Sequence, residues 1–113
     1  MLKLGHAWVN RHEARVSAFL QDAGRRECGD VTWVSDDGFA LRMRRAAYIL
    51  EQACRKSLIS AEHAHEVVRH FDALGFVDSD SANIGWFECP GTPGWRMLDC
   101  GATHVQDLQA QDA

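Results

Sequence analysis

No apolar run in this chain approaches the roughly 18 residues needed to cross a membrane. The opening stretch, MLKLGHAWVNRHEAR, lacks the long apolar segment of a secretory signal. A cytoplasmic protein without membrane contact is therefore expected. The four cysteines, Cys28, Cys54, Cys89 and Cys100, form no C-x-x-C pair. They are expected to be reduced, with Cys54 a small core hydrophobe. Cys89 and Cys100 flank an expected hairpin, and a disulfide or metal pairing of these two stays open. No G-x-S-x-G, phosphate-cradling glycine loop or dinucleotide fingerprint is present. The expectation is a non-enzyme, with no catalytic residues, no cofactor and no metal. Basic residues are scarce in the second half. Residues 57–113 hold two Lys/Arg against nine Asp/Glu, whereas residues 1–56 hold ten against seven. Either the halves pack together and their fields partly cancel, or one half presents charge to a partner.

What is present fits one small globular domain, residues 1–113, with 46% apolar residues. VNRHEARVSAFLQDAGRR predicts a helix over about residues 11–23. Asn10 would cap it, with Glu13 at capping-box spacing and Val9 and Ala14 as a staple. Ala14, Ala18 and Phe19 would be among its buried positions, and Gly24 its left-handed exit. DVTWVSDDG reads as a strand, because β-branched residues alternate around Trp33. From Ser60, SLISAEHAHEVVRHFDALGF predicts a second helix with Ala64, Val67, Val68, Phe71 and Leu74 inward. Gly75 would end it, with a Schellman-type contact from Phe76. NIGWFECPGTPGWRMLDCG predicts two strands around a Pro/Gly turn, with Trp86 and Trp95 paired across it. The tail from about residue 105 is expected to start a last helical turn and then fray.

GFALRMRRAAYILEQACRKS (Gly38–Ser57) decides the functional reading. Phe39, Met43, Ala46, Ala47, Leu50, Ala53 and Cys54 recur at helical spacing, against the competing reading of a hairpin into FALRM. On a wheel of about 100° per residue, that stripe faces a core. Leu41 and Tyr48 then fall on the opposite side, seven residues apart, with Ile49 on the flank and Arg44, Arg45 and Arg55 around them. An apolar and aromatic centre with an arginine rim is the composition of a protein interface. Alternatively, the domain covers this side with its own elements. The expected fold is α+β: an antiparallel helical hairpin, an N-terminal helix and a small antiparallel β-sheet.

Several motifs fail on inspection. HAHEVVRH places Arg69 where the H-E-x-x-H metal helix needs its second histidine. His63, Glu66 and His70 share a helix side, most simply as a solvated flank. The calcium-loop echo from Asp78 has Asn83 where glycine is required and Cys89 where a bidentate glutamate is required. A helix pair followed by a two-stranded wing also has the rhythm of a winged-helix DNA-binding domain. Its recognition helix, however, would carry Glu62, Glu66 and Asp72 against Arg69, which duplex phosphates repel. Nucleic acid is therefore an unfavoured partner.

AAYILEQACRKS and HEVVRHFDALGFVD resemble small bacterial quorum-sensing antiactivators of the QslA type. The resemblance implies a non-enzyme that binds a LuxR-type receptor and blocks its dimerisation surface, and hence its DNA binding. Leu41, Tyr48 and Ile49 would anchor the partner protein, with Arg44, Arg45 and Arg55 giving orientation. The same side could make a homodimer. A phage-type inhibitor of a bacterial defence complex has similar size and lack of motifs.

Overall fold

In a computed structural model, residues 1–108 are described. In chain order they form β1 (Leu2–Leu4), α1 (Ala7–Asp22), β2 (Val31–Val34), β3 (Ala40–Met43), β4 (Tyr48–Ile49), α2 (Leu50–Arg55), α3 (Ala61–Ala73), β5 (Ile84–Phe87) and β6 (Gly94–Met97). The fold is α+β, with two antiparallel three-stranded sheets ordered β1-β3-β2 and β4-β5-β6.

The helix expected from Phe39 is not formed. Residues 35–43 instead complete the β2–β3 hairpin, and only Leu50–Arg55 is helical. The turn chemistry explains this outcome. Gly38 takes φ +80°, which a side chain resists, and donates its N–H to Ser35 O at 2.9 Å. The Asp37 carboxylate accepts from Ser35 Oγ at 2.8 Å and from Phe39 N at 3.0 Å. These two bonds hold the Asp37 carboxyl below its usual pKa. The apolar spacing from Phe39 onward thus splits between a strand, where Leu41 and Met43 alternate inward, and the short helix, where Leu50 and Ala53 are buried. The expected hairpin of two long helices loses most of its first arm. α2 ends at Arg55, and the chain leaves it through Ser57, which has φ +58°.

The first helix begins earlier than expected, at Ala7, behind His6, which makes no side-chain cap. Asn10 is not a cap. It lies inside α1, buried, and its Nδ2 donates to Gly38 O at 2.9 Å. Glu13 is also inside and buried rather than part of a capping box. This rotation puts Val16, Ser17 and Leu20 inward and leaves Ala18 and Phe19 exposed, contrary to expectation. Gly24 does sit at φ +72° just past the helix.

The α3 reading holds. Ser60 Oγ accepts from His63 N at 3.0 Å, and Ala64, Val67, Phe71 and Leu74 are buried. Gly75 has φ +99°, and Phe76 N donates to Phe71 O at 3.3 Å as the chain leaves. The hairpin reading holds too: Trp86 pairs with Trp95. β4 joins as a third strand, and Tyr48 pairs with Trp86. Among the described residues, a core cluster forms where Val16 and Leu20 of α1 meet Leu50, Val67 and Phe71 of the later helices and Ile84 and Met97 of the second sheet.

The expectation of reduced cysteines is corrected. Cys28 and Cys100, both buried, are joined in a disulfide, while Cys54 and Cys89 are free. Cys100 therefore pairs with a residue far away in sequence rather than with Cys89. Val105–Asp107 forms a short 3-10 turn where a helical turn was expected, and Val105 and Leu108 pack against the core. The remainder of the expected frayed tail, 109–113, lies outside the described residues.

Candidate docking surface

The six residues expected to form the interface are not brought together. Leu41 lies on β3 with 0% exposure, facing α1, so it offers nothing to a partner. Arg44 and Arg45 follow β3 and are exposed, with Arg44 Nε 3.6 Å from Asp30 Oδ2. Tyr48 and Ile49 are half-buried on β4, in the other sheet. Tyr48 stacks on Trp86 and meets Trp95 edge-on, at centroid distances of 6.3 and 5.7 Å. Arg55 is on α2 and pairs with Glu51 four residues earlier. The two-sided helix that would have aligned them does not exist.

The first sheet supplies a different surface. Its inner face, on which Leu41 and Met43 are buried, lies against α1. Alternation along β1 then forces Leu2 and Leu4 outward, because Lys3 between them points in. Lys3 Nζ bonds Glu13 Oε1 at 2.8 Å and also reaches the Leu98 carbonyl. The Met1 ammonium donates to Met43 O at 2.7 Å. These contacts clamp β1 to the body of the protein. A bulge between Val31 and Trp33 turns both Thr32 and Trp33 outward on β2. Leu2 and Trp33 both flank Arg42 in the pairing register, and Arg42 Cζ lies 5.6 Å from the Trp33 ring.

Leu4 is 78%, Leu2 57% and Trp33 46% exposed. Antiparallel sheets with one solvated face ordinarily carry polar residues there. This one carries two leucines and a tryptophan around an arginine. Each large apolar side chain transferred from water is worth about 1.5–3 kcal/mol. Nothing in the described residues covers this face.

Behind it, burial dominates the electrostatics of Glu13. Desolvation raises its pKa above the ordinary carboxyl value, and the Lys3 ammonium opposes this only in part. The Lys3–Glu13 pair ties the middle of β1 to α1.

No protein-family model, curated protein or solved structure matches this chain.

The sequence held a signal for this surface. MLKL alternates apolar with charged, and VTWV with FALRM forms the hairpin that helical spacing outweighed. Three residues are too few for period-2 alternation at β1 to be distinctive.

Proposed function

We propose that this protein is a small non-enzymatic regulator that docks a partner protein on the outer face of the β1-β3-β2 sheet. One observation carries the reading: the clamped, uncovered patch of Leu2, Leu4 and Trp33 around Arg42. Exposed apolar patches of this kind mark interaction sites, and Trp and Arg are the residue types that dominate interface energetics.

Charge favours one chemistry for the partner. The sheet belongs to the basic half of the chain. Among the described residues, the ion pairs of that half are mostly internal: Lys3–Glu13, Arg25–Glu27, Arg44–Asp30 and Arg55–Glu51. The one pair joining the halves, Arg96–Asp30, brings a base from the acidic half and cancels nothing. Arg42 and Arg45 are thus left exposed on and beside the sheet. The occupant this favours is a protein surface with an apolar centre and a carboxylate rim. The sequence resemblance names a LuxR-type transcription factor as the first such protein to test, with loss of its dimerisation as the consequence. Cytoplasmic action is part of this proposal.

The test is Leu4→Asp with Trp33→Asp, checked by circular dichroism and titrated against the purified receptor. The expected outcome is a folded variant whose affinity falls at least about 100-fold, or roughly 2.8 kcal/mol. A folded variant that binds undiminished overturns the surface, and a wild type that leaves the receptor dimeric overturns the partner. Sedimentation of the wild type distinguishes self-association through the same face.

The order β4–α2–α3–β5–β6 also has the rhythm of a winged helix. The exposed Glu62, Glu66 and Asp72 of α3 oppose duplex binding by that helix. A salt-sensitive gel shift with duplex DNA would favour that reading instead.

A further inference from the structure

Among the described residues two thiols are free, Cys54 and Cys89, and both are half-buried. Each lines a cavity, and the two cavities differ in charge. Cys54 lies between α2 and α3 beside Ala61, Ala64 and Val68, where Glu51, Arg55, His65 and Asp80 leave no positive excess. Cys89 lines a polar cavity of about 270 Å³ with Arg26, Arg44 and Arg96, against Asp30 alone.

Local structure brings these groups together. Thr92 N donates to Cys89 O at 3.0 Å in the turn between β5 and β6. Arg96 Nη2 donates back to Thr92 O at 2.9 Å. Cys89 and Arg96 thus meet one cavity from the two ends of a single turn. Arg26 comes from the chain leaving α1, and Arg44 follows β3.

The positive charge is not spent internally. Asp30 stands 3.6 Å from Arg44 Nε and 3.7 Å from Arg96 Nη1, so it is shared between two guanidiniums and hydrogen-bonds neither. Arg96 is 1% exposed, and its Nη1, facing Asp30, has no hydrogen-bond partner. Leaving a buried donor unpartnered is unfavourable, more so when it is charged. Three guanidiniums against one carboxylate leave attraction for an incoming anion. A carboxylate that takes Arg44 also leaves Asp30 to close on Arg96.

We propose that Cys89 is a modification site for small anionic disulfides of the glutathione disulfide class. Arg26 and Arg44 hold the reagent's carboxylates, which concentrates its S–S bond at Cys89. The Cys89 thiolate attacks one sulfur of that bond. A new S–S bond to Cys89 forms as the reagent's own S–S bond breaks, and the departing thiolate takes up the proton that Cys89 released. Cys89 is oxidised, half of the reagent is reduced, and the product is a mixed disulfide that a free thiol reverses. The cavity contains none of Leu2, Leu4, Trp33 and Arg42, so the proposal stands apart from the docking face.

The test exposes the full chain, without reductant, to glutathione disulfide, cystamine and 2-hydroxyethyl disulfide, which are anionic, cationic and uncharged. Peptide mapping by mass spectrometry follows each thiol. Each rate is divided by that of the same thiol in the urea-unfolded chain, which removes the reagents' intrinsic reactivities. At Cys89 the normalised rate for glutathione disulfide should exceed that for cystamine at least about tenfold, and Cys54 should show no such preference. Raising the salt concentration should shrink the difference. Arg26→Ala and Arg44→Ala, both at exposed positions, should each slow glutathione disulfide at Cys89 and leave 2-hydroxyethyl disulfide unchanged. A Cys89 that takes cystamine as readily as glutathione disulfide overturns the proposal, as does an equal preference at Cys54. Arginine variants that react like the wild type, or that slow all three reagents alike, overturn it too, because charge would then not govern the site.

Discussion

Glu13 shows how one side chain can organise a surface it does not reach. Its carboxylate sits 1% exposed under β1 and holds Lys3 inward, and that fixes Leu2 and Leu4 outward. Burial raises its pKa, so the folded protein binds this proton more tightly than the unfolded chain does. Stability from this group is therefore complete below the ordinary carboxyl pKa and is lost as pH rises toward the raised value. Within that window the slope is at most about 1.4 kcal/mol per pH unit. Glu13→Gln should flatten this part of the profile, measured as urea midpoints from pH 4 to pH 8 in wild type and variant. Parallel profiles would refute the shift. Sequence spacing misread Glu13 and Asn10 as a cap because both are common cap residues; nothing local shows that they are internal to α1. What decides their place is tertiary: Lys3 and the Gly38 carbonyl lie within reach of α1 only once the first sheet has formed.

At the level of elements, α3 was legible because cap, periodicity and exit all agree over thirteen residues. The segment from Phe39 was not, because a four-residue strand and a six-residue helix in series imitate one helical period. The turn at Asp36–Gly38 carried the better information, since its glycine conformation and Asp37 bonds commit the chain to reverse. The same logic makes the docking face hard to read from sequence: its residues come from three short strands and meet only through register. The exits of α1 and α3 allow a paired prediction. Gly24 and Gly75 both have positive φ, but a Cβ at Gly24 meets open space, whereas one at Gly75 would overlap the Asp107 carbonyl. Gly24→Ala should cost about 1–2 kcal/mol, the ordinary left-handed penalty. Gly75→Ala should cost more and loosen Val105–Leu108, seen as faster amide exchange there. Equal costs in chemical denaturation would show that the 3-10 turn does not rest on the α3 exit.

The whole molecule is tied across its length by Cys28–Cys100, 72 residues apart. Cys28 precedes the β2–β3 hairpin and Cys100 follows β6, so the bond links the entry of the first sheet to the exit of the second. No spacing rule could have found this pair, because the residues become neighbours only when Cys28 runs beside Met97. In the chain-entropy picture, closing a loop of this length in the unfolded state is worth about 4 kcal/mol. That is a large share of the roughly 5–15 kcal/mol available to a small domain. Cys28→Ala with Cys100→Ala should therefore lower stability by about 2–4 kcal/mol, read as the guanidinium midpoint under non-reducing conditions. Adding reductant to the wild type should reproduce that loss and should leave the double variant unchanged. Because Cys54 and Cys89 are free and half-buried, alkylation of the native protein should label only those two, and reduction in denaturant should expose the other pair. A wild type that is indifferent to reductant, with four thiols labelled on unfolding, would show that the two halves are held together by packing alone.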